Sequence, residues 1–123
     1  MRIGVDIVCV SRIAHSLSVS ARFAQSVFAQ SEREQAMRLP EQRGHEYLAG
    51  RFAVKEAVLK ALHRGIKNPS MMKEIEAVSQ TDCRPRLQLT GGVAQIAHEI
   101  GLSDWQVSIS HEENYAVAFV LLS

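Results

Sequence analysis

Residues 43–64 restrict the fold of this 123-residue chain more than any other stretch. They contain no proline and are rich in Ala, Leu, Lys and Glu, which predicts one long helix. The apolar side chains fall on two separate sides of a helical wheel, with Leu48, Phe52 and Leu59 on one and Tyr47, Val54 and Val58 on the other. A helix that is apolar on two sides must be covered on both, so it should lie at the centre of the fold.

Shorter elements are predicted around this helix. Strands are expected over residues 3–10, 74–80, 86–90, 105–111 and 115–122, and short helices over 22–29, 31–39 and 93–100, with another beginning at Ser11 as its N-cap. The first strand is nearly continuous in β-branched residues, which is typical of a strand buried on both faces. This order predicts a single α+β domain over residues 1–123, with a largely antiparallel sheet wrapped around the long helix.

Charge is distributed unevenly along the chain. The net charge is +1 overall, but it is +6 for residues 1–73 and −5 for residues 74–123. The small total argues against a protein that coats nucleic acid, whereas the basic first half fits an acidic partner or a phosphorylated ligand as well as chance clustering on a solvated surface.

The two cysteines and the apolar start of the chain indicate where in the cell the protein works. Cys9 and Cys83 lie far apart and form no CxxC motif, so neither a zinc site nor a disulfide framework is indicated. The apolar run at residues 3–10 is short and interrupted by an acid, which is unlike a signal peptide or a membrane span. We therefore expect a cytoplasmic protein with no membrane partner.

Asp6 interrupts the otherwise apolar first strand. An ionised carboxylate in such a strand is costly unless it meets a cation or hydrogen-bond donors. A structural pairing with an arginine and a functional role both satisfy this requirement.

Lys55, Glu56 and Lys60 lie on the long helix, and Glu56 and Lys60 share a face because they are four residues apart. Such pairs are common on exposed helices. Glu56 lies between the two apolar stripes, however, whereas exposed pairs usually occupy a polar face. Asp6 and Glu56 would give Mg²⁺ two hard oxygen ligands, with a lysine nearby to neutralise phosphate charge.

His111 ends the strand at residues 105–111, on the same side as Trp105, Val107 and Ile109. From this alternation alone, a histidine at the edge of the core is the better interpretation. The chain contains no GxGxxG, GxxxxGK[ST], HExxH or GxSxG motif.

Three blocks together resemble a known family. They are Gly4-Val5-Asp6-Ile7, the stretch from Arg51 to Ala61 with the sequence RFAVKEAVLKA, and Ser108-Ile109-Ser110-His111. In this order and spacing they closely resemble the holo-(acyl-carrier-protein) synthase family, the short bacterial type of 4′-phosphopantetheinyl transferase. Arg22-Phe23-Ala24 and Glu32 also match the family pattern, and the resemblance extends over nearly the whole chain.

The resemblance implies an α+β homotrimer with active sites between subunits. The family moves the 4′-phosphopantetheine group of coenzyme A to a serine of apo acyl carrier protein, requires Mg²⁺ and releases adenosine 3′,5′-bisphosphate, which supports fatty acid biosynthesis. Asp6 and Glu56 match its metal-binding acids, and with Lys60 they form the implied catalytic set. The implied coenzyme A contacts are Arg43, Arg51, Lys60 and His111, and the implied carrier-protein surface is Arg12, Arg22 and Phe23.

The chain departs from the family at three places. Residues 63–65 read His-Arg-Gly where Gly-Thr-Gly is usual, and residues 83–85 read Cys-Arg-Pro where Gly-Lys-Pro is common. Ala29 stands where the family usually has a helix-capping threonine. None of these changes removes a residue of the implied catalytic set.

Two alternatives compete with the transferase. The first is a Mg²⁺-dependent nucleotide phosphohydrolase that uses the same two acids, although such sites usually need more carboxylates. The second is a non-catalytic oligomer that binds coenzyme A or the carrier protein.

Overall fold

The computed structural model describes residues 1–64, 68–79, 82 and 84–123. Its strands are β1 (Arg2–Cys9), β2 (Ile75–Ser79), β3 (Pro85–Leu89), β4 (Trp105–His111) and β5 (Tyr115–Leu122). Its α-helices are α1 (Val10–Val19), α2 (Ala21–Val27), α3 (Gln30–Met37), α4 (Glu41–Ala61) and α5 (Gly91–Glu99), and a 3-10 helix covers Pro69–Glu74. The predicted α+β class is confirmed. In the described part of the chain, no helix is both long and apolar enough to span a membrane.

The strands form two antiparallel sheets. One has the order β1-β5-β4, and the other is the hairpin of β2 and β3. In the first sheet Asp6 pairs with Ala118, and Ala118 pairs on its other side with Ile109. Gln80, Thr81 and Cys83, in and beside the turn predicted between β2 and β3, lie outside the described residues, as does Gly65.

Helix α4 lies at the centre, as its two apolar sides predicted. It contacts β1, β5 and β4 on one side and α3 and β2 on another. Leu48, Val54, Val58 and Leu59 are all buried. Three alanines, Ala49, Ala53 and Ala57, are fully covered, and their small side chains let the neighbouring elements approach the helix closely.

The prediction that Ser11 caps α1 is wrong. Cys9 is the N-cap and the helix begins at Val10, with no linking residue after β1. The Val10 amide donates to the carbonyl of Asn114 in the turn before β5. Ser11 Oγ lies 3.1 Å from Cys9 Sγ and caps nothing. The chain thus passes directly from the ladder hydrogen bonds of β1 into the first turn of α1.

Strand β1 is buried on one face only, contrary to the sequence-based prediction. Ile3, Val5 and Ile7 are 60%, 53% and 66% exposed. The register places Leu121, Phe119 and Val117 of β5 beside them, and β4 adds Gln106, Ser108 and Ser110. These nine residues form one face of the three-stranded sheet, which we call the open sheet face. Six of the nine are apolar, and all six are at least partly exposed in a single chain, as is typical of an interaction surface.

A buried ion pair joins α3 to α4. Lys55 Nζ lies 2.8 Å from Glu32 Oε1, and both side chains are almost fully enclosed. The same nitrogen donates to the carbonyls of Met72 and Ile75, so its three hydrogens hold the 3-10 helix and the start of β2 against α4. Burial raises the pKa of Glu32 and lowers that of Lys55, and in each case the partner's charge opposes the shift.

Ala29 is the N-cap of α3, at a position where the resemblance makes threonine usual. Glu32 completes half of a capping box, because its Oε1 accepts from the Ala29 amide at 2.9 Å. The other half needs a side-chain oxygen at residue 29, which alanine lacks.

Replacing Ala29 with threonine should therefore stabilise the protein by about 1 kcal/mol, because the new hydroxyl can accept a hydrogen bond from a free amide of the first turn. Urea unfolding at fixed protein concentration measures the change. Ala29→Val is the control, since valine has the shape of threonine without the oxygen. Equal stability of the two variants would contradict the capping explanation.

His63 adopts the left-handed conformation just after α4, with a φ of 57°. The His63 amide donates to the carbonyl of Lys60 and the Arg64 amide to that of Leu59, which together end the helix. Glycine takes this backbone conformation at little cost. The geometry thus accounts for the glycine that is usual in the family at this position.

Candidate active site

Gly4 is the point where β1 approaches α4 most closely. A Cβ atom at this position would overlap the carbonyl oxygen of Ala57 and lie 3.1 Å from the amide nitrogen of Ala61. Glycine is therefore needed here for space. The close approach brings Asp6, two residues further along the same face of β1, to the side of α4 that carries Glu56 and Lys60.

Asp6 and Lys60 form an ion pair at this crossing. Lys60 Nζ lies 2.7 Å from Asp6 Oδ1 and also donates to the carbonyl of Val5 at 3.3 Å. The lysine side chain is 56% exposed, whereas that of Asp6 is 16% exposed. The cation of this pair therefore faces solvent and can be reached by an incoming anion.

Glu56 lies one helical turn before Lys60 and is half-buried. Burial raises the pKa of its carboxyl group, and the negative charge of Asp6 raises it further, while Lys60 opposes both effects. A further cation would stabilise the ionised form of Glu56 at this site. We call Asp6, Glu56 and Lys60 the carboxylate cluster.

The donor set of the carboxylate cluster fits Mg²⁺. Two carboxylates supply hard oxygen ligands, and Mg²⁺ usually combines one or two of these with water and substrate phosphate oxygens. Within the described ranges, no group of three or more His, Cys, Asp or Glu side chains is placed to hold a metal ion. Asp6 and Glu56 would therefore hold a magnesium ion only together with ligands from solvent and substrate.

A second group of residues lies where β4 ends against α4. Arg43, Tyr47 and His111 line a cavity of about 310 Å³ together with Leu39 and Glu46. We call Arg43, Tyr47 and His111 the histidine cluster. Arg43 and His111 are exposed, so both can meet a ligand from solution.

Arg51 is more enclosed than a surface cation usually is, at 6% exposure. Its guanidinium lies 4.1 Å from the centre of the Tyr47 ring, and Nη2 donates to Ser79 Oγ at 3.1 Å. In the described part of the chain no carboxylate lies within ion-pair distance of it, and its Nε has no partner. Arg51 thus retains uncompensated positive charge and an unused donor beside the histidine cluster.

The two clusters face different directions. With about 100° per residue, Arg51 lies roughly 140° around α4 from Glu56. Helix α4 therefore separates the carboxylate cluster from Arg51 and the histidine cluster within one chain. A ligand that contacts both clusters of a single chain would have to reach around this helix.

Comparison with known proteins decides the family. Residues 2–120 match the sequence profile of the 4′-phosphopantetheinyl transferase superfamily. The chain belongs to that superfamily. This confirms both the resemblance and the class of enzyme inferred from the three sequence blocks.

Members of the superfamily match along nearly their whole length. A holo-(acyl-carrier-protein) synthase of Desulfovibrio desulfuricans is 40% identical over 121 residues, which cover 98% of this chain and 94% of that protein. One from Streptomyces avermitilis is 39% identical over 119 residues, which cover 97% and 94%.

Solved structures of the superfamily share the fold. A Neisseria meningitidis holo-(acyl-carrier-protein) synthase superposes with a TM-score of 0.86 at 28% identity, covering 99% of this chain and 97% of that one. A Bacillus anthracis enzyme in complex with coenzyme A (3′,5′-ADP) gives 0.81 at 32% identity, covering 98% and 94%. The predicted transferase fold is therefore confirmed.

The carrier-protein residues implied by the superfamily lie on α1 and α2. Arg12 and Arg22 are exposed. Phe23 is half-buried, with its ring centre 6.0 Å from that of Phe28 and 6.2 Å from that of Phe52. Phe23 can offer only part of its ring to a partner, because the rest packs between α2 and α4.

The roles of Gly4, Tyr47 and Lys55 in this superfamily member were missed by the sequence-based predictions. Gly4 and Tyr47 shape the clusters without reacting, and nothing in their own identity indicates which element they touch. Lys55 is different, because on a helical wheel it lies between Leu48 and Val58. A lysine inside an apolar arc indicates a buried cation, and the sequence carries that signal.

Proposed function

We propose that this protein transfers the 4′-phosphopantetheine group of coenzyme A to a serine of apo acyl carrier protein. The serine oxygen forms a bond to the phosphorus of the pantetheine phosphate, the bond from that phosphorus to adenosine 3′,5′-bisphosphate breaks, and the serine proton leaves. The observation that carries the proposal is the meeting of Asp6, Glu56 and Lys60 at the β1–α4 crossing of a superfamily member. The names of its relatives support it.

The two carboxylates have distinct tasks in this proposal. Asp6 and Glu56 would hold Mg²⁺, which would supply stabilisation of the charge on the phosphate oxygens. Glu56 also accepts the serine proton. Glu56 suits this task by its position, because a general base must lie within hydrogen-bond reach of the proton it accepts and Glu56 shares the β1–α4 crossing with Asp6 and Lys60.

The cations bind the phosphates of coenzyme A. Lys60 exchanges its contact with Asp6 for a phosphate oxygen as negative charge develops in transfer. Arg43 and His111 bind a second phosphate from the histidine cluster. Arg51 adds the unpaired charge described above, and its guanidinium fork suits phosphate recognition.

A homotrimer resolves the separation of the two clusters. Helix α4 keeps them apart in one chain, so a neighbouring copy must supply the missing cluster to each ligand. The open sheet face offers the surface for such assembly, since burying its apolar side chains would remove residues such as Ile3, Val5 and Phe119 from water.

The carrier protein is the acidic partner in this proposal. Arg12 and Arg22 are exposed on α1 and α2, within the half of the chain that carries net charge +6. Complementary charge would speed the encounter, and the exposed edge of Phe23 would add an apolar contact. We place the protein in the cytoplasm, where it supplies fatty acid biosynthesis and needs neither nucleic acid nor membrane.

Intact mass spectrometry tests the reaction directly. The protein is incubated with coenzyme A, Mg²⁺ and a panel of apo acyl carrier proteins. We expect at least one carrier to gain the mass of one phosphopantetheine group, with adenosine 3′,5′-bisphosphate in equal amount. A carrier whose modified serine is replaced by alanine provides the control and should keep its mass.

Two outcomes would contradict the proposal in different ways. Release of free phosphopantetheine with every carrier unchanged would indicate hydrolysis, with water in place of the serine. A thermal shift with coenzyme A but no change in either substrate would indicate a binding module.

A further inference from the structure

Gly50 lies in the middle of α4, directly beneath the ring of His111. A Cβ atom at this position would lie 2.6 Å from His111 Nε2, 3.2 Å from Cε1 of the same ring and 3.2 Å from Ile109 Cγ2. Carbon atoms in favourable contact are about 3.5–4.0 Å apart, so a methyl group does not fit under the imidazole.

The backbone gives no other reason for glycine at this position. Gly50 lies inside a regular α-helix, and the glycines with positive φ in the described residues are Gly91 and Gly101. A glycine inside a helix weakens it relative to alanine. In return, position 50 leaves space for the His111 imidazole and for the Ile109 side chain.

The space left by Gly50 determines where the His111 side chain lies. His111 is the last residue of β4, an edge strand, and it is exposed. Its ring nevertheless lies against α4, beside Tyr47 and Arg43 at the rim of the 310 Å³ cavity. We propose that Gly50 is a positioning residue, whose missing side chain seats the His111 imidazole on α4 so that His111 and Arg43 bind the same phosphate group.

The phosphate in question is that of coenzyme A, so this inference rests on the proposed function. A side chain at position 50 would push the ring off the helix and away from Arg43. The loss should appear in the binding of coenzyme A more than in the chemical step, because the carboxylate cluster lies on another side of α4.

Gly50→Ala tests the inference, with Gly44→Ala as the matched control. Gly44 lies on the same helix, and a Cβ there would lie 2.9 Å from the carbonyl oxygen of Ala36, so it is similarly crowded but against α3 rather than against the His111 ring. We expect Gly50→Ala to raise KM for coenzyme A about 10-fold, the size of one lost charged hydrogen bond, with a smaller change in kcat. Gly44→Ala should change KM by less than about 2-fold.

A double-mutant cycle with His111→Ala separates positioning from general damage. If Gly50 acts through the ring, Gly50→Ala should raise KM no further once the ring is removed. Its effect on melting temperature should also become smaller, since the methyl group then meets Ile109 but no longer meets the ring. The melting temperatures still test the inference if the Gly50→Ala variant folds poorly.

The outcomes distinguish failure of this inference from failure of the proposed function. The same fold-change in KM in both backgrounds would overturn the positioning role in an enzyme that is otherwise active. The inference would also be overturned if the two substitutions were non-additive in melting temperature but additive in KM. The contact between Gly50 and the ring would then be structural only. Failure of the unmodified protein to transfer phosphopantetheine would overturn the proposed function itself.

Discussion

Glu56→Gln should lower kcat for phosphopantetheine transfer by about 10³-fold, within the range that a lost general base costs. Glutamine keeps the shape of the side chain but cannot accept a proton, and it is a weaker ligand for Mg²⁺. It also removes a half-buried negative charge next to Asp6, so the fold should not suffer. Initial rates from intact-mass time courses, at saturating coenzyme A and Mg²⁺, measure the effect.

The comparison needs a glutamate that the site does not use. Glu99 is exposed at the end of α5, where its only side-chain partner is Gln95 in the described residues. Glu99→Gln should retain full activity, and both variants should melt within a few degrees of the unmodified protein. A Glu56→Gln protein that keeps more than a tenth of its kcat would refute both tasks assigned to Glu56.

Lys55→Met should lower the free energy of unfolding by about 3–5 kcal/mol, the usual cost of removing one partner from a buried ion pair. Methionine fills much of the space but leaves Glu32 without its cation. It also removes the donor that Lys55 gives to the carbonyls of Met72 and Ile75, of which the Met72 carbonyl keeps a hydrogen bond from the Ile75 amide. One oxygen of Glu32 already lacks a partner in the intact pair. Urea unfolding at a fixed protein concentration measures the loss.

A second substitution shows whether the stranded charge is responsible. In the Lys55→Met background, Glu32→Gln removes that charge while its amide oxygen can still accept from Ala29. We expect the double variant to recover a substantial part of the lost stability. If it is no more stable than Lys55→Met alone, the loss arises from packing and from the two carbonyl groups.

The chemistry of the site is predictable from sequence because it depends on residue types. An acid in an apolar strand and a Glu–Lys pair between apolar stripes both indicate function by their composition and spacing alone. Their meeting is not predictable from spacing, since nothing in the pattern says which face of α4 the strand β1 contacts. That contact depends on Gly4, whose missing side chain lets the two backbones approach.

Other predictions failed where burial depends on more than local sequence. The β-branched run of β1 indicated two buried faces, yet Ile3, Val5 and Ile7 are exposed in the single chain. The same residues would be covered by a neighbour in the proposed trimer, and one chain's sequence cannot distinguish the two situations. Ser11 failed for a local reason, because β1 continues directly into α1 and places Cys9, two residues earlier, at the N-cap.

The position of two clusters on one helix makes residue spacing itself a functional requirement. One residue inserted into α4 between Arg51 and Glu56 would turn everything beyond it by about 100° and shift it by about 1.5 Å. Arg43 and Gly50 would keep their neighbours, while Glu56 and Lys60 would lose Asp6. The length of this helix between the two clusters can therefore change only in steps that restore its phase.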